Sequence, residues 1–419
     1  MSQIALPLEA CPEARPLLNK TAAPRPHVVP QGFEAEGFRI GWEHARHQAT
    51  PPADHLHSGH PVRQGWEAGR EAFAGRALAA TRAARLWLEL RLQAWVRGRT
   101  FDELMVTPRF VARIDVPTCP VLQQPLSHGA QGGAALTDAV VMALYEGAGC
   151  AAGNLAVVSR RAAQARAALT AQETAQVVRR LEAGEVQEVA GLDLQAWRRL
   201  AALTSLATPR GCVGSGALPA PQPLHVLPPP RVRLLNPLQG VQALLTLVFT
   251  APGYARALTD LGALMPHAQA RRAYFLFMNA MLARRLSARS AVPPEQLRTV
   301  MEQAWSHPLV LQRWAALAQT LKPAQAERVL RLAAQRNAGR PAVAWRWTEE
   351  AAATEGWALE TQGRVGGAVQ AQPLNAPAAS PASRPARPRP SHLWAVAQAP
   401  HGAAGRPTAP MRRPSRGSV

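Results

Sequence analysis

The sequence predicts a mainly α protein of several modules, with one small ββα unit and a basic C-terminal tail, and three observations carry that prediction. Aromatic residues are only 5% of the chain against 47% hydrophobic overall, so Ala, Leu and Val must fill the core, which favours helices over a sheet sandwich. Apolar residues recur at helical spacing in several stretches, and helix-capping residues stand at the expected places before them. With 419 residues, the chain is long enough for two or three domains and at least one sizeable core.

Residues 1–32 are rich in proline without an apolar period and read as a flexible leader. Order is expected from Phe33, opening a helical module over residues 33–100. GFRIGWEHARH is helix-compatible, Pro51 and Pro52 end it, and Pro61 opens a longer helix towards Arg99. In that helix Leu88, Leu92 and Trp95 form one apolar stripe, with Arg82, Arg85, Arg91 and Arg97 on the solvated side. The module repeats itself: Gly41, Trp42, Glu43 and Arg46 recur as Gly65, Trp66, Glu67 and Arg70. Small Gly and Ala beside a large indole let two helix backbones approach, so the echo reads first as a packing unit. Its arginines, Arg63, Arg70, Arg76, Arg82 and Arg85, are candidate phosphate ligands.

Over residues 101–170 the pattern changes. RFVARIDV carries β-branched residues, CPVLQQPL reads as a short strand pair, SHGAQGG as a turn, and a helix is expected from about Leu155 to Ala168. For residues 171–206 the capping box of Thr170 and Glu173 opens one helix and Asp193 caps another through Leu206. The Pro/Gly-rich stretch 207–233 reads as a linker and a domain boundary. Asn236 before Pro237 starts a helical bundle over 234–355, broken at Pro252 with Gly253, Pro266, Pro293 with Pro294, Pro308 and Pro323. Within it Phe275, Met278 and Leu282 are expected on one core face, and Trp305, Trp314, Trp345 and Trp347 as core or interface anchors. Residues 356–419 read as a disordered Arg/Pro tail: from residue 361 onward there are eight Arg and neither Asp nor Glu.

The formal charge is +20, from 47 Lys plus Arg against 27 Asp plus Glu, and Lys20 and Lys322 are the only lysines. Such a balance points to a polyanionic partner, although an arginine bias also follows from a GC-rich genome. Four cysteines, Cys11, Cys119, Cys150 and Cys212, form no CxxC pair, which excludes a thiolate zinc knuckle and suits a reducing cytoplasm. The N-terminus lacks the charged and apolar regions of an export signal, so the expected location is cytoplasmic. Leu234 to Ala255 is uncharged, but its apolar core, Val241 to Ala251, covers about half of the roughly 20 residues a membrane span needs; a buried helix and no membrane partner are expected.

Two resemblances emerge from these residues. Gly37, Phe38 and Gly41, then Pro51, then Gly65 with Trp66, resemble the ribosome modulation factor family, which implies a small helical RNA-associated or phage-associated module over about 40 residues. The central cysteine and aromatic of that family are replaced by Thr50 and Pro52. Further on, Cys119, Pro120 and Val121, followed by Gly149, Gly153, Asn154, Leu155, Ser159 and Ala162, resemble HNH-type nuclease-like proteins of phage and plasmid origin. That resemblance implies a ββα unit in which a divalent metal polarises a phosphate and a histidine activates water. At the family's Asp-Arg pair stand Met142 and Ala143, its tyrosine falls on Cys150, its helix asparagine on Ala163, and its lysine is Arg166. Methionine and alanine cannot ligate a hard cation, so catalytic residues and metal ligands are expected to be absent; a repaired nuclease site would draw on His128 and Asp138.

His44 and His47, at i and i+3, and His55, His57 and His60 are candidates for zinc or nickel, or surface imidazoles; the latter is the expectation, with no metal and no cofactor. No Walker loop, GxGxxG, HExxH or nucleophile elbow occurs. The expected function is therefore non-catalytic association with DNA or RNA, largely independent of sequence. Its phosphate ligands would be Arg63, Arg70, Arg76, Arg82, Arg85, Arg160, Arg161 and Arg166. The alternatives are a divergent metal-dependent nuclease, and a scaffold whose C-terminal helices bind a protein partner.

Overall fold

The computed structural model describes residues 32–127, 135–209, 223–287 and 293–336. Among them are thirteen α-helices and one two-stranded sheet, so the mainly α expectation holds. No helix there is long and apolar enough to cross a membrane. The tail, the leader apart from Gly32, and Trp345 and Trp347 lie outside the described residues.

The glycine-tryptophan echo marks two helices, α1 (Phe33–Arg46) and α2 (Pro61–Phe73), which lie backbone against backbone. A Cβ on Gly41 would stand 1.9 Å from the Val62 carbonyl oxygen, and one on Gly65 would stand 1.9 Å from that of Phe38. Contacts advance together along both helices, from Gly37 with Pro61 to Gly69 with Ala45, so they run in the same sense. Side-by-side helices of one sense need a returning connection, which residues 47–60 supply.

The expected long helix from Pro61 to Arg99 is two helices. Ala74 and Gly75, both with positive φ (41° and 84°), end α2, and Thr81 caps α3 (Arg82–Val96) through the Ala84 N–H. α3 serves two cores. Leu92 and Trp95 join Ile40 and Val62 under α1 and α2, while Leu86, Trp87, Leu88, Leu90 and Ala94 enter a larger core that extends to Ala333. Arg91, expected in solvent, is buried and held by Glu36 at 2.8 Å and Glu103 at 3.0 Å.

RFVARIDV, marked in the sequence by its β-branched residues, is helical as far as Ile114. Thr107 accepts from the Phe110 N–H, and Pro108 sits at the first position of α4 (Pro108–Ile114); this local cap outweighs the β-branched composition. CPVLQQPL makes a single antiparallel bridge between Thr118 and Pro125 rather than a strand pair. The two strands lie further on, as β1 (Ala139–Ala143) and β2 (Leu155–Ser159), antiparallel with Val141 opposite Val157. Leu155 to Ser159, expected as helix, is strand because its apolar residues are buried on both faces of the sheet. Ser159 then caps α5 (Arg160–Arg166) through the Ala162 N–H, which completes a ββα unit.

Two caps act as read: the Thr170/Glu173 box opens α6 (Ala171–Glu182) and Asp193 caps α7 (Leu194–Leu206). Part of the presumed linker is core, since Leu224, Val226, Leu227 and Val232 are at most 2% exposed. Beyond it come α8 (Pro237–Thr250), α9 (Tyr254–Ala263), α10 (Ala268–Ser287), α11 (Pro294–Gln303), α12 (Pro308–Thr320) and α13 (Pro323–Arg336). The expected breaks fall between these helices, where the prolines stand. Trp305 and Trp314 pack on Phe277, each with ring centroids 5.5 Å apart. The buried face of α10 is Ala270, Tyr274, Phe277 and Met281; Phe275, expected in the core, is 37% exposed.

Candidate anion-binding site

The ββα unit positions a cavity of about 330 Å³ between α3, β1 and α5. Its apolar wall includes Leu90, Ala94, Val140 and Met142, and four arginines line it: Arg97, Arg99, Arg160 and Arg166. Arg97 follows the last turn of α3, Arg99 lies two residues on, and Arg160 and Arg166 are the first and last residues of α5. Segments about 60 residues apart in sequence thus bring their guanidinium groups to one concavity.

Among the described residues two carboxylates answer these four cations. Glu146, in the β1–β2 connection, takes Arg99 at 2.7 Å on one oxygen and Arg166 at 2.9 Å on the other. Glu89 takes Arg160 at 3.1 Å and also accepts from Gln93. Arg97 is exposed and has no ion pair among the described residues. Two positive charges therefore remain around the cavity.

Arg166 is the deepest of the four, its side chain 3% exposed. It donates to the Ala143 and Leu144 carbonyls at 2.6 and 3.0 Å, which ties the end of α5 to the end of β1. Burial pushes its pKa below the ordinary arginine value, and Glu146 opposes the shift. The Nε–H groups of Arg160 and Arg166 are buried without an acceptor among the described residues. Each orphan donor of this kind costs on the order of 1–3 kcal/mol.

Cys150 also lines the cavity. Burial pushes its thiol up to about 12, so the protonated form holds at neutral pH. Asn154, matched to the HNH pattern, is fully buried. Its amide donates to the Tyr145 and Gly149 carbonyls at 2.7 and 2.8 Å, and its carbonyl accepts from the Tyr145 N–H at 2.9 Å. It locks the turn between the strands. Met142 sits in the cavity wall, where the HNH resemblance places a carboxylate.

Of the residues a repaired nuclease would use, His128 lies outside the described residues. Asp138 is buried, with one carboxylate oxygen accepting from the Ser127 hydroxyl at 2.8 Å and the other from the Ala135 N–H at 3.1 Å. Among the described residues no group of three His, Cys, Asp or Glu side chains is placed to hold a metal ion.

Of the five candidate histidines, His57 is exposed as expected, His55 and His60 are partly buried, and two are not surface groups. His44 is buried with Nδ1 on the Ile40 carbonyl at 2.8 Å, and burial lowers its pKa to about 4. His47 is buried too. His60 accepts the Val62 N–H on Nδ1, so its neutral ring carries the proton on Nε2, 3.4 Å from His55 Nδ1. A metal on that Nε2 would have to displace this proton while Nδ1 keeps its own acceptor role, a poor arrangement for a ligand.

The arginines nominated from the N-terminal module are mostly engaged. Arg63 pairs with Glu67 at 2.7 Å, Arg82 with Asp115 at 2.6 Å, and Arg70 lies 4.8 Å over the Trp66 ring. Arg76 and Arg85 are exposed and carry no ion pair among the described residues, and Arg161 donates to the Gly191 carbonyl. Sequence reasoning nominated Arg160 and Arg166 but passed over Arg97 and Arg99. The signal present was the Arg-Gly-Arg at the end of α3.

Comparison with protein-family models, curated proteins and solved structures finds no match to this chain.

Proposed function

We propose that this protein binds nucleic acid without cleaving it, by gripping phosphate through the arginines of the α3–α5 face. The observation that carries the reading is the convergence of Arg97, Arg99, Arg160 and Arg166 on one cavity with only two carboxylates paired to them among the described residues. Arg85, exposed and without an ion pair among the described residues, stands one turn before Glu89, the partner of Arg160. Guanidinium forks match phosphate oxygens in pairs, and phosphate contacts fix orientation without reading sequence. The protonated Cys150 and the occupied Asp138 favour binding over catalysis.

Binding carried by phosphate contacts releases counterions, so affinity should fall steeply with salt. Filter binding of single-stranded and duplex DNA and RNA from low to physiological salt tests this. Retention at low salt that is lost at physiological salt supports the proposal, and no retention at low salt rejects it. A second reading, a protein-interaction scaffold, draws on the exposed Phe275, Leu276 and Leu286 of α10. Size-exclusion chromatography before and after nuclease treatment separates the two, because a scaffold's mass is indifferent to nucleic acid.

A further inference from the structure

We propose that the cavity between α3, β1 and α5 is a site for a phosphomonoester, carried either by a small molecule such as a nucleotide or by the phosphorylated end of a strand. The inference rests on the reading of the α3–α5 arginines as phosphate ligands and narrows it to one chemical class.

Shape points there first. A strand backbone lies along a surface, whereas these arginines surround a concavity of about 330 Å³, within the range of small-molecule sites and large enough for a phosphate with an attached sugar. Charge agrees. Glu89 and Glu146 leave two positive charges among the four arginines, which matches a phosphomonoester at about −1.5 to −2 and exceeds the single charge of an internal diester. Accessibility picks out the ligands. Arg97 is exposed and Arg160 is a quarter exposed, whereas Arg166 is held almost wholly inside the protein by the Ala143 and Leu144 carbonyls and Glu146 and serves to shape the wall. The apolar wall of Leu90, Val140 and Met142 suits the carbon skeleton of the ester.

The full chain should be titrated calorimetrically with a nucleoside 5′-monophosphate, the unphosphorylated nucleoside, and the methyl diester of the same nucleotide. In parallel, matched single strands with 5′-phosphate or 5′-hydroxyl ends should be compared by fluorescence anisotropy. The monophosphate is expected to bind at least about tenfold more tightly than the diester, with the nucleoside silent. A 5′-phosphate strand binding about tenfold better than its hydroxyl twin assigns the natural ligand to a strand end, and equal strands with a tight mononucleotide assign it to a free ester. Arg97→Gln and Arg160→Gln should each weaken the monophosphate about tenfold, while Arg328→Gln on α13 should not. Arg97 is exposed, with no ion pair among the described residues, so its variant folds normally and keeps the test decisive.

Failure is distinguishable for the two readings. Strands that bind regardless of their end, with no mononucleotide binding, overturn the phosphomonoester site and leave the nucleic-acid reading standing. A monophosphate that binds while neither strand is retained at low salt overturns the nucleic-acid reading and leaves the site.

Discussion

The α1–α2 pair and the ββα unit are both rich in arginine, yet only one of them leaves cations free around a concavity. In the helix pair, Arg39 is held by Glu36, Arg46 by Glu43 at 3.4 Å and Arg63 by Glu67 at 2.7 Å, so carboxylates on the same helix answer three of its four arginines, and the fourth, Arg70, lies over the Trp66 ring. In the ββα unit and the α3 segment against it, Glu146 serves two arginines at once and Arg97 has no ion pair among the described residues. Arginine count therefore says little about available charge. A carboxylate three or four residues away answers Arg46 in GWEHAR and Arg63 in RQGWE, but sequence proximity alone does not decide it: Arg85 has Glu89 four residues on and no ion pair among the described residues, because Glu89 turns to Arg160.

The contrast can be broken most forcefully at the helix pair. Gly65→Ala places a methyl against the Phe38 carbonyl, where backbone must move, and should cost about 4 kcal/mol or more in urea denaturation. A variant of wild-type stability would show that the close approach does not hold the pair together.

His44 gives the next largest effect. Its folded pKa of about 4 lies below the ordinary 6.5, so the unfolded chain takes up the proton first as pH falls. Stability from the neutral buried ring is complete above pH 6.5 and is lost towards pH 4, by about 3 kcal/mol in all. Urea midpoints between pH 7 and 5 should fall in the wild type and fall less in His44→Gln. Parallel curves would remove His44 as the cause.

In the ββα unit, Asn154→Ala deletes three hydrogen bonds of a buried side chain and should cost about 2 kcal/mol, with amide exchange rising first in residues 145–154. Uniformly faster exchange across the chain would instead mean that the turn is not a separate element. Arg97→Gln should change stability least, by within about 0.5 kcal/mol, because the side chain is exposed and makes no ion pair among the described residues. That separation of stability from binding makes it the sharpest probe of the site.

Local signals were legible in the sequence wherever a cap dominates. Thr170 with Glu173, Asp193, and Asn236 before Pro237 each open the helix they announce. Composition is a poor guide at two places: the Val and Ile of RFVARIDV entered a helix because Thr107 and Pro108 start one, and the apolar run at Leu155 became a buried strand because β1 lies beside it. The echo of Gly-Trp foretold two packed helices, although not that they run in the same sense. The site was half legible. Arg160 and Arg166 stand out in the sequence, but their meeting with Arg97 and Arg99, and the sharing of Glu146 between two of them, depend on how α3 packs on β1. No spacing rule reports that.

Phosphate binding at this face is tested most directly by the salt dependence of the wild type and of the Arg97→Gln, Arg160→Gln double variant on a single-stranded oligonucleotide. If these arginines grip phosphate, the slope of log K against log salt should shrink by about 1.4, or roughly 0.7 for each phosphate no longer neutralised on a single strand, while Arg63→Gln in the helix pair leaves it unchanged. A double variant with the wild-type slope and affinity would contradict phosphate binding by the α3–α5 arginines.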